Sequence, residues 1–284
     1  MRDTGYREAL LTYIDILGFR KIIERSATDP SIIATMLNVL RDLKKQSSEG
    51  GRVVREEGKE RPISIFRGFN FSDLTVRATF ADTSTKFSDV LKWEFLYVSG
   101  IQIGLICQQD FLLRGAVALG QISMEPDRNV ADDILFGPAL VRAYELDSGP
   151  PRIIVDSPVI DRASKSGESL WPEYIRQDND GQFFIDYLFG AAVDGLLLEA
   201  SQRSTVTNTL KAHKESVERK VESQTDKDVR ILEKLRWLVS YHNSTVQRLK
   251  KHYGQKPEAF DIFGVQPFDI PDSLMIDSVL SNTL

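Results

Sequence analysis

The chain has 284 residues, 42% of them hydrophobic and 27% charged, with a formal net charge of -5. That balance fits a globular protein and excludes a surface built as a whole to attract a polyanion, so nucleic acid is not an expected partner. Cys107 is the single cysteine, which rules out an intrachain disulfide and a cysteine-based zinc site and reads as an inert core thiol. No apolar run approaches the roughly 20 residues of a membrane span, and the N-terminus has no basic region followed by a long apolar core. The expectation is a cytoplasmic protein without membrane contact.

Taken in order, residues 8–16 read as a strand that becomes buried at Tyr13-Ile14-Asp15-Ile16, and Gly18 turns the chain into a helix from Phe19. Asp29-Pro30-Ser31 is a helix start, and Ile32, Ile33, Met36, Leu37, Val39, Leu40 and Leu43 recur at helical spacing. Residues 46–61 are charged and glycine-bearing and read as a surface loop. A hairpin follows: 62–69 alternates, Asn70-Phe71-Ser72-Asp73 carries turn chemistry, and 74–80 alternates again. Residues 86–109 predict a long buried helix, 112–120 a strand, 124–129 a loop and 134–136 a short strand. Gly137-Pro138 then opens a helix to Leu146, and 152–155 is a further strand.

This order predicts an α+β fold of the ferredoxin-like, split βαβ kind, with helices on one face of a mostly antiparallel sheet. Residues 1–160 form that core. Residues 161–284 read as a mainly helical C-terminal extension, with 183–189 a strand or short helix, 190–203 helical and long helices from Thr205 to about His252. His213, His242 and His252 are too far apart for a local metal motif and are assigned to the surface. The tail from Gly254 carries Pro257, Pro267 and Pro271 and reads as extended.

A carboxylate in the apolar run around Asp15 must be paired, hydrogen-bonded or metal-bound, because stripping its water is costly. One reading makes it the cap of the helix from Phe19. The other makes it a metal ligand, since the split βαβ order brings the first strand beside the hairpin and lets Asp15 meet Asp73. Two carboxylates there suit a divalent-metal phosphoryl-transfer site, and Gly18 with the following helix start would offer backbone N–H groups to phosphates. Arg114 either contacts phosphate or pairs with an acid, and Arg77 could face either side of its strand.

The stretches Asp15-Ile16-Leu17-Gly18-Phe19, the hairpin ending in Asp73, Arg114-Gly115 with Gly120, and Phe136-Gly137-Pro138-Ala139-Leu140 through Leu146 resemble the class III nucleotidyl cyclases. The resemblance covers residues 8–156. It implies two Mg²⁺ or Mn²⁺ ions held by Asp15, Asp73 and the Ile16 carbonyl, with Gly18, Phe19, Phe69, Arg114 and Arg142 on the substrate side. It also implies a homodimer with sites at the interface, where Arg142, Glu145 or Asp133 could reach the partner's nucleotide. Val141 and Glu145 stand where that family has an Asn and an Arg, Phe69 stands near its purine-selecting residue, and Asp133 lies one position off its purine-contacting acid. This pattern is similar to the pyrimidine cyclases of bacterial Pycsar anti-phage systems and implies synthesis of cyclic UMP, or next cyclic CMP, as a defence signal. Two alternatives stand beside it: an inactive pseudo-cyclase acting as a nucleotide sensor or interaction module, and a purine or diguanylate cyclase-like activity. The missing Gly-Gly-acid-acid-Phe hairpin argues against the diguanylate version.

Overall fold

The computed structural model describes residues 5–47, 50–56, 59–81, 86–125, 134–165, 167, 170–193, 203–224, 228–254 and 270–277. Its centre is strand β1 (Arg7–Ile16), flanked by β4 (Leu74–Ala81) and β5 (Leu113–Glu125), antiparallel to both. Between β1 and the hairpin come α1 (Phe19–Ser26) and α2 (Pro30–Ser47), then β2 (Gly50–Glu56) and β3 (Lys59–Phe71), with β3 pairing β4. Helix α3 (Phe87–Gln109) returns the chain to β5. The order β3-β4-β1-β5, joined through α1–α2 and α3, is the expected split βαβ core. Beyond it lie β6 (Ile134–Phe136), α4 (Pro138–Leu146), β7 (Ile153–Val155), α5 (Ser157–Lys165), β8 (Ile175–Gln177) and β9 (Phe183–Ile185). The sheet runs β2-β3-β4-β1-β5-β7-β9-β8, with β6 on β5 and, among the described residues, only β5–β7 parallel.

Several expectations need correction, three of them in the sheet and its cover. The stretch expected as a loop over 46–61 holds, among its described residues, the end of α2, the strand β2 and the start of β3, which pairs with β2 at the edge of the sheet. The hairpin ahead of β4 turns through two residues, Ser72 and Asp73, because β3 runs on to Phe71; Ser72 takes a φ of 58°. Helices also cover both faces of the sheet. Glu94 of α3 accepts hydrogen bonds from Thr12 and Thr79 on one face, whereas Tyr144 of α4 meets Tyr13 on the other. Small residues on that second face explain the approach of α4. Ala116 and Ala118 are fully buried, and a Cβ on Gly120 would stand 3.3 Å from that of Ala139.

Opposite α4, Arg77 is 1% exposed, so its ambiguous side is settled: it lies away from Asp15. Its Nε is 3.3 Å from Glu94 Oε2, and its guanidinium is held between the rings of Phe66 and Tyr97 at 3.7 and 3.9 Å. A buried charge pair survives only with such compensation.

The chain divides into two compact units: 1–97 with 111–148 and 152–185, and 98–110 with 149–151 and 186–284. The first unit therefore runs past residue 160, because β9 pairs with β7 and carries β8 into the same sheet. The second holds α6 (Tyr187–Val193), α7 (Arg203–Glu222), α8 (Val229–Gly254) and a 3-10 turn at Asp272–Leu274. Residues 183–189 thus split into a strand and a helix start. Residues 194–202 and 255–269, expected to be helical and extended, lie outside the described residues, as does the 126–129 part of the expected loop. Helix α3 is long and apolar enough to cross a membrane by length and composition, contrary to the sequence expectation, and 61% of its apolar window is buried in the fold.

His213 and His242 are not at the surface; both are fully buried and contact each other. Residues 29 positions apart meet because α7 and α8 pack side by side. His242 Nε2 lies 2.8 Å from the Leu274 carbonyl, so it must carry the proton and leave Nδ1 as acceptor. His213 Nδ1–H then donates across 3.0 Å, and His213 Nε2 accepts from the Tyr187 hydroxyl at 2.7 Å. Both rings are neutral in this chain of bonds. Burial holds His242 down to about 4, and burial with the neighbouring His242 holds His213 well below the ordinary value.

Candidate active site

Asp15 stands one residue from the end of β1, opposite Leu74 of β4 and Arg114 of β5, so the row Phe71-Leu74-Asp15-Arg114 crosses four strands on one face. Asp73 precedes Leu74 in the hairpin turn, which puts the second acid beside the first. The close approach of β5 depends on Gly115: its φ is 151°, and a Cβ there would lie 1.9 Å from the Tyr13 carbonyl oxygen. Arg114, the preceding residue, donates from Nε and Nη2 to Oδ2 of Asp15, both at 2.8 Å. Its Nε is also 3.3 Å from Oδ1 of Asp147, the residue that ends α4.

Asp15 responds to its neighbours. Asp15 is pushed up to about 6, chiefly by burial and further by the charges of Asp147 and Asp73, against the pull of Arg114. Tyr13, on the same face, is pushed up to about 12 by burial and by Asp147 and Asp15. The site therefore favours added positive charge.

The helix-cap reading of Asp15 does not hold, since its carboxylate is bonded to Arg114 while Gly18 occupies the N-cap of α1 with φ 80° and no side-chain cap. The first turn of α1 has no acidic residue, so its amides are turned to whatever lies beyond Gly18. Ile16 is buried, the Leu17 N–H donates to the Leu112 carbonyl, and Phe19 is half-buried. Phe69 is buried on the Asp15 face, one row deeper, beside Val76 and Tyr13. Phe71, which no sequence signal singled out, is 60% exposed in the row of Asp15 itself.

Arg142 is engaged elsewhere: Nε and Nη2 reach the two oxygens of buried Asp156, both at 2.9 Å, tying α4 to the start of α5. Arg114 thus lies with Asp15 and Asp147, while Arg142 is bonded to Asp156. Asp133 lies outside the described residues, and Glu145 is exposed on α4. Asp147 was missed by sequence reasoning, although a signal exists: an acid at a helix C-terminus opposes the macrodipole and calls for a cation nearby.

Among the described residues, no group of three or more His, Cys, Asp or Glu side chains is arranged to hold a metal ion. Mg²⁺ and Mn²⁺ do not require one, because such ions are commonly held by one or two carboxylates together with substrate phosphates. Oxygen donors only, a raised Asp15 and a second acid in the adjacent turn fit that habit.

No protein-family model matches the chain, and no curated protein matches it. Solved structures do. The adenylyl cyclase CyaB from P. aeruginosa is 13% identical, with a TM-score of 0.43 over 63% of this chain and 94% of its own. The guanylyl cyclase Cya2 is 13% identical, with a TM-score of 0.38 over 64% and 93%. A class III adenylyl cyclase-like ATP-binding protein from Pseudomonas aeruginosa is 11% identical, with a TM-score of 0.43 over 66% and 40%.

Proposed function

We propose that the protein is a cytoplasmic nucleotide cyclase that converts a nucleoside triphosphate to its 3′,5′-cyclic monophosphate and pyrophosphate. Within that reading the substrate is a pyrimidine triphosphate, UTP before CTP, and the product is an anti-phage signal. The single observation that carries the proposal is the juxtaposition of Asp15 and Asp73 at the mouth of a split βαβ sheet, next to a helix that starts without a side-chain cap. The base preference rests on the motif resemblance and on aromatic Phe69 and Phe71 along that face.

In this mechanism Asp15, Asp73 and the Ile16 carbonyl would hold two Mg²⁺ or Mn²⁺ ions. Bound there, the ions supply charge neutralisation for the triphosphate and a lowered pKa for the ribose hydroxyl. The chain's own groups do the rest. Amides of the first turn of α1 orient phosphate oxygens, and Arg114 adds a guanidinium to charge that builds on them. Phe71 offers an exposed ring for a base to stack against. Homodimerisation is supported by a run of exposed apolar side chains on β6 and α4: Ile134, Phe136, Val141 and Tyr144.

The test is incubation with each of the four triphosphates and Mn²⁺, reading pyrophosphate and cyclic product. Turnover of UTP or CTP that vanishes in Asp73→Ala is expected; equal inactivity of both proteins towards all four ends the enzyme reading. The nucleotide-sensor reading has one observation in its favour, the commitment of Arg142 to Asp156. Calorimetry separates it, because a sensor binds nucleotide without releasing pyrophosphate.

A further inference from the structure

Asp147 has no role in the motifs that point to the site, yet its carboxylate is 5% exposed and shares the Arg114 guanidinium with Asp15. The sharing is unequal. Arg114 places two N–H groups on one oxygen of Asp15 at 2.8 Å, and its Nε reaches Asp147 Oδ1 only at 3.3 Å. Asp15 is the more open of the two acids, with 14% of its side chain exposed. Asp147 is also the C-cap of α4, where the helix end already carries partial negative charge. A cation beside a carboxylate at that helix end is favourable, and the less exposed Asp147 offers Arg114 a drier partner, while Asp15 has the better access to solvent ions.

We propose that Asp147 is a positioning residue that takes over the Arg114 guanidinium when a divalent cation occupies Asp15. Resting on the metal-site reading above, this assigns Arg114 two stations. Without the ion its fork lies on Asp15 and keeps that carboxylate from standing unpaired. With the ion, Nε turns wholly to Asp147, a move of less than one hydrogen-bond length, and the remaining N–H groups stay at the rim facing the phosphates. Without Asp147 the displaced guanidinium would swing into water or compete with the ion for Asp15.

The experiment is nuclear magnetic resonance of the Arg114 Nε–H group in the full chain, assigned by its disappearance in Arg114→Lys, during titration with Mg²⁺ alone. In the wild type the resonance should shift with Mg²⁺ and keep its slow exchange with water. In Asp147→Asn, exchange on Mg²⁺ addition should speed up by about tenfold, the factor one charged hydrogen bond carries. Asp147→Glu should restore the slow exchange, a rescue that a purely structural loss would not follow.

If the wild-type resonance shifts but exchanges like a free surface guanidinium, the hand-over is overturned without recourse to any variant. It is equally overturned if Asp147→Asn behaves as wild type. If Mg²⁺ perturbs neither Arg114 nor the amides of residues 15–19, the metal-site reading itself fails and this inference with it.

Discussion

Two polar clusters in this protein are built on opposite rules. At the end of β1, Asp73 and Asp147 bear on Asp15, Arg114 is divided between Asp15 and Asp147, and Asp15 is pushed up to about 6, chiefly by burial. Between α7 and α8, Tyr187, His213, His242 and the Leu274 carbonyl form a file in which each donor meets one acceptor. Tyr241 likewise donates to Asp186, which also pairs with Arg248. A matched network holds a fold together; a mismatched, partly open one stands ready for something brought from outside.

The sharpest way to break this contrast is to remove an acid from the first cluster. On the proposed reading, Asp15→Asn should lower cyclic product formation by roughly 10³-fold, since it takes away a carboxylate that would hold a metal ion. It should not lower the melting temperature at pH 7, because burial already disfavours the charged form. Intact turnover, or a melt several degrees lower, would show that Asp15 serves the fold.

The second cluster should respond the other way. Replacing His213 by Ala removes two hydrogen bonds and opens a cavity in a fully buried place, a loss of about 3 kcal/mol or more in urea unfolding. Catalytic constants of the folded fraction should stay near wild type. A neutral effect on stability would mean that the histidine file is dispensable.

Acid and base should also act in opposite senses. His242 has a folded value of about 4, below the ordinary 6.5, so its contribution is complete above pH 6.5 and lost as pH falls towards 4, about 3 kcal/mol in all. Asp15 has a folded value raised from 3.8 to about 6, so its contribution is complete below 3.8 and lost as pH rises through 6. Urea melts from pH 4 to 7 on wild type, His242→Gln and Asp15→Asn separate them: the first variant should flatten the acid limb and the second should not.

The smallest expected effect belongs to Arg142→Ala. Its guanidinium is half exposed, and Asp156 keeps a bond from the Ser157 N–H, so the cost should be about 1 kcal/mol of stability. Turnover should fall less than threefold at saturating nucleotide. A large fall in kcat with unchanged stability would move Arg142 from α4's anchor to the substrate.

Much of the core was legible beforehand. Alternation in 8–16 and 74–80, with helical spacing in 86–109, fixes elements whose order leaves few ways to pair, and so Asp15 could be set beside Asp73. The edge strand β2 escaped notice because its charged residues carry no burial pattern; only pairing with β3 makes it a strand. Asp147 escaped because its meaning lies in Arg114, 33 positions earlier and on another element, as the meaning of His213 lies in His242.

By itself, the sequence determined the element order, the buried stripe of each long element and the presence of two acids at turns, since these follow from periodicity and local turn chemistry. Only the tertiary structure decided which charges share a partner: Arg114 with Asp15 and Asp147, Arg142 with Asp156, Arg77 with Glu94, and one histidine with another. The physical reason is that Coulomb and hydrogen-bond energies depend on distance and burial, and neither is written along the chain.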